Sequence, residues 1–308
     1  MRASAALCAL LSCVLVSIPT TATAQENATR QFGPWVWGLQ GGAVEQSDAD
    51  LSGTNASFGL RRYFIEPSLS YAWDRRTSVG LAVGFGDSRY EFSSGALIGG
   101  LQPWDKIHDY RISLPIRFSP SQRSDVIIVP SIRTNTESGA SLNDGRTEGV
   151  LAGIGWWLSE SLFLGPGLGW FTELGGGSNV FPILLIDWSI TDRLSLSTGE
   201  GLAASQGPGL TLGYDINKKW TLGLTGRFEE IRFALNNPET SPVRFAEDKS
   251  LPLVLSVRYK PWPMTYVAAF LGGEFEGELS LEDNNGNTLA GTEYDTATIF
   301  GIAFRSRF

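Results

Sequence analysis

IFGIAFRSRF, residues 299–308, closes the chain and divides into two sets at alternate positions. Phe300, Ile302, Phe304 and Phe308 share one parity, whereas the opposite parity carries glycine, alanine and two arginines after Ile299. Successive side chains of a β-strand point to opposite faces, so this pattern predicts a strand with one apolar and one polar face. The arginines indicate that the second face meets water.

The same alternation recurs along the chain after residue 34, for example in 110–118 and in 220–228. We predict about fourteen strands, with a range of about 12 to 16. Each is near or above the length of about 9–11 residues with which a tilted strand crosses a bilayer. The predicted strands are 35–46, 58–72, 77–91, 107–118, 125–137, 146–158, 161–173, 180–190, 193–204, 208–217, 219–235, 249–260, 264–281 and 291–308.

The connections between these segments alternate in length. One set is very short and comprises 74–76, 121–123, 159–160, 191–192, 217–218 and 261–263. The other set is mostly longer and more polar, as in 47–57, 92–106, 138–145, 236–248 and 282–290. Short turns on one side and long loops on the other are typical of bacterial transmembrane barrels, and an even strand number leaves both chain ends on the short-turn side.

Charged side chains occupy the polar face of strand after strand. A soluble sandwich also alternates, but its apolar face is covered by a second sheet, whereas a lipid-facing exterior and a wet interior explain the charges directly. An open sheet edge in lipid would leave backbone groups without hydrogen bonds, so the sheet must close. We therefore predict an all-β fold, a transmembrane antiparallel up-and-down β-barrel preceded by a cleaved signal peptide.

The first residues have the features of a secretory signal: Arg2, an apolar stretch and a small-residue cleavage site at 22–24. We expect a signal peptide at 1–24, a short periplasmic segment at 25–34 and the barrel at 35–308. A lipoprotein signal that ends before Cys13 is the alternative. Cys8 and Cys13 are the only cysteines, so the processed chain has no thiol for a disulfide, a metal or a nucleophile.

Acidic residues outnumber basic ones, 32 to 24, which argues against a nucleic-acid partner because such a protein needs a basic face. The 36 glycines and 17 phenylalanines suit short, closely packed strands. We expect outer-membrane lipids to surround the barrel and small polar solutes to be possible partners.

The final segment, 299–308, resembles the C-terminal signal of bacterial outer-membrane proteins, which ends in an aromatic residue after alternate apolar positions. The resemblance implies recognition by the barrel-assembly machinery through Phe300, Ile302, Phe304 and Phe308, although Ser306 departs from the usual apolar choice. The whole processed chain resembles the uncharacterised β-barrel families of the Gram-negative outer membrane. This resemblance implies a location and a fold but no substrate. Fatty-acid transporters carry an N-terminal hatch before the first strand, and segment 25–34 is too short for one.

Parity sends a set of charged side chains into the predicted lumen. A basic ladder is expected where Arg111, Arg117 and Arg133 lie on adjacent strands, and an acidic patch at Glu274, Glu276 and Glu278. The lumen candidates are Arg62, Glu66, Arg111, Arg117, Arg133, Asp187, Asp215, Arg227, Glu229, Arg258, Glu274, Glu276, Arg305 and Arg307.

Two functions remain open at this point. A passive, porin-like channel or transporter for small polar solutes would use these charges as a selective lining. A non-conducting structural or surface-interaction barrel would pair them with one another and fill the lumen. The broad lumen of about fourteen strands favours the channel.

Catalytic chemistry has little support in the sequence. A lipid-modifying barrel enzyme with a serine triad would have to use His108, the only histidine, which parity places on the lipid face or at the interface. A metal site would have to use essentially oxygen ligands, because the chain has only one histidine. Residues 283–287 are better explained as a hairpin turn on Asn285-Gly286 than as a calcium loop. We expect no enzyme activity, no cofactor and no metal site.

Overall fold

A computed structural model describes residues 34–93, 95–198, 209–238 and 240–308. No helix in these ranges is long and apolar enough to cross a membrane. The strand segments are β1 (Trp35–Asp50), β2 (Ser57–Ala72), β3 (Ser78–Phe92), β4 (Lys106–Ser113), β5 (Ile116–Ser121), β6 (Ser124–Glu137), β7 (Arg146–Trp157), β8 (Leu162–Thr172), β9 (Ser178–Ser189), β10 (Leu194–Thr198), β11 (Gly209–Asp215), β12 (Trp220–Arg227), β13 (Glu229–Ala234), β14 (Phe245–Tyr259), β15 (Tyr266–Glu282), β16 (Thr288–Tyr294) and β17 (Ala297–Arg307).

The segments form one closed sheet. Three pairs of segments, β4 with β5, β12 with β13 and β16 with β17, are each one interrupted strand, because both members pair with the same neighbour. Fourteen strands result, each antiparallel to the next, and β1 closes the barrel by pairing with both β2 and β17. The predicted fold class and strand number are confirmed.

Two parts of the prediction fall outside the described residues. The signal peptide at 1–24 and nearly all of segment 25–34 lie there, so this division of the chain stays a prediction. The end of the predicted strand 193–204 lies there too, since the description of β10 stops at Thr198.

The exterior of the barrel carries a band of exposed apolar side chains. Leu255, Leu271 and Ile302 are 66%, 58% and 59% exposed. Such a continuous apolar surface is stable only against hydrocarbon. Towards the long loops the band ends at outward-facing charges, including Arg61 and Arg89, whose side chains are 61% and 63% exposed. We take this level as the extracellular edge of the membrane-spanning segments.

Aromatic residues mark the opposite edge, beside the short turns. Trp73, Trp188, Trp220 and Trp262 are all exposed there. Indole rings favour the membrane interface because they combine an apolar body with one polar N–H group. The short turns are therefore on the periplasmic side, as the connection lengths predict.

Four neighbouring strands are irregular at one level, near the extracellular edge. Phe228 separates β12 from β13, the register between β14 and β15 shifts at Lys249/Leu251, Glu276 has a φ of 52°, and β16 ends at Tyr294. Bulges and breaks of this kind bend strands sharply. The parts beyond the bend, Glu229–Ala234, Phe245–Ser250, Gly277–Glu282 and Thr288–Tyr294, form a unit that we name the bent sheet.

The bent sheet enters the mouth of the barrel instead of continuing the wall. All six residues of β13 are buried. Ala234 forms a parallel bridge with Thr136 of β6, which stands on the opposite side of the barrel. The sequence predicts a loop at 236–248, whereas β14 begins at Phe245 because its first residues pair with β13 inside the mouth.

An apolar core lies between one face of the bent sheet, β2, β3 and the loop that follows β3. Phe233 is 0% exposed and lies 5.0 Å from Trp104 and 6.1 Å from Tyr90, measured between ring centroids. Phe58, Leu279 and other buried side chains complete the cluster. Packed side chains therefore close the extracellular end of the barrel interior.

Candidate functional site in the barrel interior

The structure divides the predicted lumen residues into three groups by exposure. Arg62, Glu66, Arg133, Asp187, Arg227, Glu229 and Glu274 are buried. Arg111, Arg117, Asp215, Arg258, Arg305 and Arg307 are half-buried. Only Glu276 among these candidates is exposed. The half-buried members are mostly towards the periplasmic end, whereas the candidates near the mouth are mostly buried.

The prediction for Glu276 is wrong. The bulge in β15 reverses the alternation there, and Gly277 faces inward, where an added Cβ would lie 2.1 Å from the ring of buried Tyr294. Glu276 and Glu278 are exposed while Glu274 is buried, so the three carboxylates do not form one acidic patch.

Buried ionic contacts hold the base of the bent sheet. Arg62 Nη1 lies 3.3 Å from a carboxylate oxygen of Glu229, and Arg227 Nη1 lies 4.0 Å from the other oxygen. Tyr90 and Tyr294 donate hydrogen bonds of 2.7 and 3.2 Å to Asp248. Breaking a buried pair leaves an uncompensated charge, so these contacts favour the position in which all partners meet.

The far end of the bent sheet is attached to the β6 wall by polar contacts. The side-chain amide of Asn135 donates to the backbone carbonyl of Arg232 at 3.1 Å. The Arg232 guanidinium donates to the carbonyl of Leu174 at 3.2 Å and also contacts Glu282. A cavity of about 20 Å³ lies between this face and the wall, with Arg133, Asn135 and Arg232 in its lining. Such a volume holds a water molecule, not a solute.

Glu230 lies on the bent sheet, beyond the membrane-spanning segments. Its side chain is buried, and burial raises its pKa to about 9, with the neighbouring carboxylate of Glu247 acting in the same direction. Desolvation and a like charge both disfavour the ionised form. The structure therefore favours a protonated Glu230 at neutral pH.

The predicted basic ladder is only partly present. Arg111 and Arg133 are cross-strand partners on β4 and β6, and Arg133 Nε lies 2.6 Å from a carboxylate oxygen of Asp109. Arg117 lies nearer the periplasmic end and binds Asp125 at 3.1 Å. The break between β4 and β5 comes between Arg111 and Arg117, so the three arginines do not form one ladder.

Side chains from the lower parts of the strands line the periplasmic half of the interior. Arg258 and Arg305 lie 4.6 and 5.8 Å from the ring centroid of Tyr266, distances typical of cation–π contacts. Arg305 also donates to Gln40, which donates to Glu66 at 2.7 Å. These hydrogen bonds and ring contacts join the side chains to one another on the inner wall.

His108 lies on the outer surface, as its parity predicts. It contacts Asp87, and its ring stacks at a centroid distance of 6.2 Å on Tyr110.

The predicted hairpin turn at 283–287 is confirmed, because Asp283 and Asn287 are joined by a backbone hydrogen bond and Gly286 has a φ of 76°. Among the described residues, no group of three potential ligands is placed to hold a metal ion.

Sequence reasoning missed the residues of the bent sheet and its contacts. Asn135, Arg232 and Asp248 carry no motif, and alternation places them in a loop or on an ordinary strand. One usable signal was present: Ile231 and Phe233 continue the apolar alternation past the break at Phe228, where a water-exposed extension would be polar.

Comparisons with known proteins find likeness in solved structures. A Pseudomonas aeruginosa FadL homologue is 14% identical, with 94% of each chain covered and a TM-score of 0.42. The Pseudomonas putida toluene transporter TodX is 8% identical, with 92% of this chain and 93% of that chain covered and a TM-score of 0.43. The translocator domain of the autotransporter NalP from Neisseria meningitidis is 12% identical, with 92% of each chain covered and a TM-score of 0.37.

No protein-family model matches the sequence, and no curated protein matches it significantly. These structural similarities are too weak to assign the substrate or the family of those proteins to this one. The location follows from the molecule itself, through its closed antiparallel sheet, its apolar outer band, its short turns on one side and its long loops on the other. The chain is an outer-membrane β-barrel protein of the Gram-negative type.

Proposed function

We propose that the protein is a passive transport barrel for small polar solutes and that the bent sheet is its gate. The observation that carries the proposal is the bent sheet, which crosses and closes the extracellular mouth above an interior with many charged side chains. A barrel with only a structural role does not need a separate sheet folded across its mouth. In this conformation the gate is shut.

The attachment of the bent sheet is suited to reversible opening. Its base bends where four strands are irregular, so rotation there breaks few regular hydrogen bonds. One edge is held by the parallel bridge of Ala234 to Thr136 and by side-chain contacts such as Asn135 with Arg232. The other edge is held by the bridge of Tyr294 to Leu51. Hinges of this kind absorb backbone changes at a few positions while the rest moves as a unit.

A disulfide between the gate and the wall tests the proposal. The chain has no cysteine after Cys13, so Thr136→Cys with Ala234→Cys creates a single pair, and β-bridge partners lie within disulfide reach. We expect stepwise conductance in a planar bilayer when the pair is reduced, and none when it is oxidised. A matched control, Thr225→Cys with Val254→Cys, joins two neighbouring wall strands and should conduct in both states.

Each outcome decides between the alternatives. A folded, reduced barrel that never conducts would support the non-conducting structural or surface-interaction barrel instead. Equal conductance in the oxidised and reduced states would show that solutes bypass the bent sheet, and the gate would be wrong while transport stands.

A further inference from the structure

The middle of the inner face of β6–β9 is apolar. Val129 and Ile127 lie at inward positions of β6 and form one cluster with Leu151 on β7 and with Phe181 and Ile183 on β9. We name these five residues the apolar strip. Three of them are half-buried, so part of each side chain faces the lumen. Inward positions of a water-filled barrel are expected to be polar, so the fold by itself does not explain the strip.

Two stacked rings continue the strip towards the mouth. Phe171 and Phe181 lie 6.0 Å apart between ring centroids, with 8° between their planes. Each ring covers a glycine of the neighbouring strand. A Cβ added to Gly149 would lie 2.1 Å from the ring of Phe171, and one added to Gly169 would lie 2.0 Å from the ring of Phe181. The rings therefore lie against the wall and give it a continuous apolar surface.

The upper end of this surface meets polar groups in one cavity. Phe171 lines the cavity of about 20 Å³ between the bent sheet and the wall, together with Thr147 and Arg232. Arg232 is 8% exposed, and its Nε has no hydrogen-bond partner among the described residues, since the Glu247 oxygen lies 3.8 Å away. A buried N–H group without an acceptor is unfavourable. Hydrogen-bond donors and an apolar surface thus adjoin at Phe171, within reach of one small molecule.

The opposite side of the interior, around β17, β1 and β2, is built differently. Its polar side chains are joined to one another, for example Arg305 to Gln40 and Gln40 to Glu66. A solute that moved along that side would have to displace these partners. The apolar strip offers contact area without a polar partner to displace.

We propose that solutes cross the interior along the apolar strip and that the preferred class is a polar molecule with a compact apolar part. The inference rests on the proposed function above and names its solute class. The polar groups of such a solute bind at the cavity beside Thr147 and Arg232. Its apolar part covers Phe181 and Ile183, which removes hydrocarbon from water. A molecule with polar groups alone makes only the first of these contacts.

Phenyl β-glucoside and methyl β-glucoside test the class, because both are neutral and they differ only in the apolar part. Each is added as a blocker of the potassium chloride current through the barrel in a planar bilayer. We expect phenyl β-glucoside to half-block at a concentration about tenfold lower. Ile183→Thr should reduce this preference to about twofold or less. Val44→Thr, at a half-buried inward position of β1, is the matched control and should keep it.

Equilibrium binding gives a second readout that does not depend on conductance. Phenyl β-glucoside is titrated against the purified barrel in detergent and followed by saturation-transfer NMR, with empty micelles as the blank. Binding should be about fivefold weaker or more for Ile183→Thr and unchanged for Val44→Thr. Heat modifiability on gels shows that each variant is folded.

The outcomes separate this inference from the proposed function. Equal block and equal binding by the two glucosides would overturn the apolar class. Equal losses in Ile183→Thr and Val44→Thr would overturn the route along the strip. Binding that depends on Ile183 in a barrel that never conducts would refute transport and leave the binding site standing, whereas absence of both binding and conductance would refute both.

Discussion

Replacing Phe233 by alanine should open the proposed gate. The side chain is fully buried and packs against Trp104 and Tyr90, which belong to the loop after β3 and to β3 itself. If the bent sheet leaves the mouth, this ring leaves its pocket and becomes hydrated. Phe→Ala changes in cores cost about 3–5 kcal/mol, and the cost applies to the closed state alone.

A loss of about 3 kcal/mol from the closed state raises the ratio of open to closed barrels by about two orders of magnitude. The measurement is single-channel open probability in a planar bilayer, with the reduced double-cysteine barrel as reference. Phe163→Ala is the matched control, because Phe163 is 1% exposed and lies on the wall strand β8, outside the bent sheet. It should lower the unfolding temperature without opening the channel.

Two results would refute this reasoning. An unchanged open probability in a correctly folded Phe233→Ala barrel would mean that the bent sheet does not move when the pore opens. An equal rise for Phe163→Ala would mean that general loosening of the barrel, not release of the gate, opens the pore.

Three further predictions concern the gate and assembly. Asn135→Leu removes the hydrogen bond to the carbonyl of Arg232, which is worth about 1 kcal/mol, so the open probability should rise about fivefold in bilayer recordings; no rise would exclude this contact as a latch. Burial raises the pKa of Glu230 to about 9 in the closed state, whereas a hydrated carboxyl in the open state titrates near its ordinary value. The closed state therefore binds the extra proton between these two pKa values, is favoured at low pH, and is lost as pH rises through this range. Open probability should increase with pH, and Glu230→Gln should flatten the profile; an equally steep profile in that variant would assign the effect elsewhere. Deletion of Phe308 should reduce the amount of heat-modifiable, folded barrel in outer-membrane fractions, whereas wild-type yield would argue against an assembly signal at this residue.

Much of the barrel wall was predictable because its signals are local. The two-residue alternation in 220–228 and in 299–308 indicates directly which face meets lipid. Each strand can be interpreted in this way independently of the others. Turn chemistry at 283–287 is local as well, since Asn285-Gly286 needs only its own backbone preferences. These features can therefore be predicted without knowledge of any distant contact.

The interior was predictable only in part. Parity placed Arg62, Arg133 and Glu229 inside, where the structure has them buried. It failed at Glu276 because one bulge residue shifts every later side chain to the opposite face. Alternation carries no information about where a bulge falls when both faces beyond it are buried.

By itself, the sequence determined that this protein is a closed, membrane-spanning barrel of about fourteen strands. Only the tertiary structure decided that β13 crosses the mouth to reach Thr136 and that Val129 and Leu151 pack with Ile127, Phe181 and Ile183 into one apolar cluster. The physical reason is the sequence separation of the residues involved. The alternation within a strand indicates which of its faces meets lipid, whereas a contact across the lumen joins positions about a hundred residues apart, such as Asn135 and Arg232. Such contacts depend on the curvature of the whole sheet.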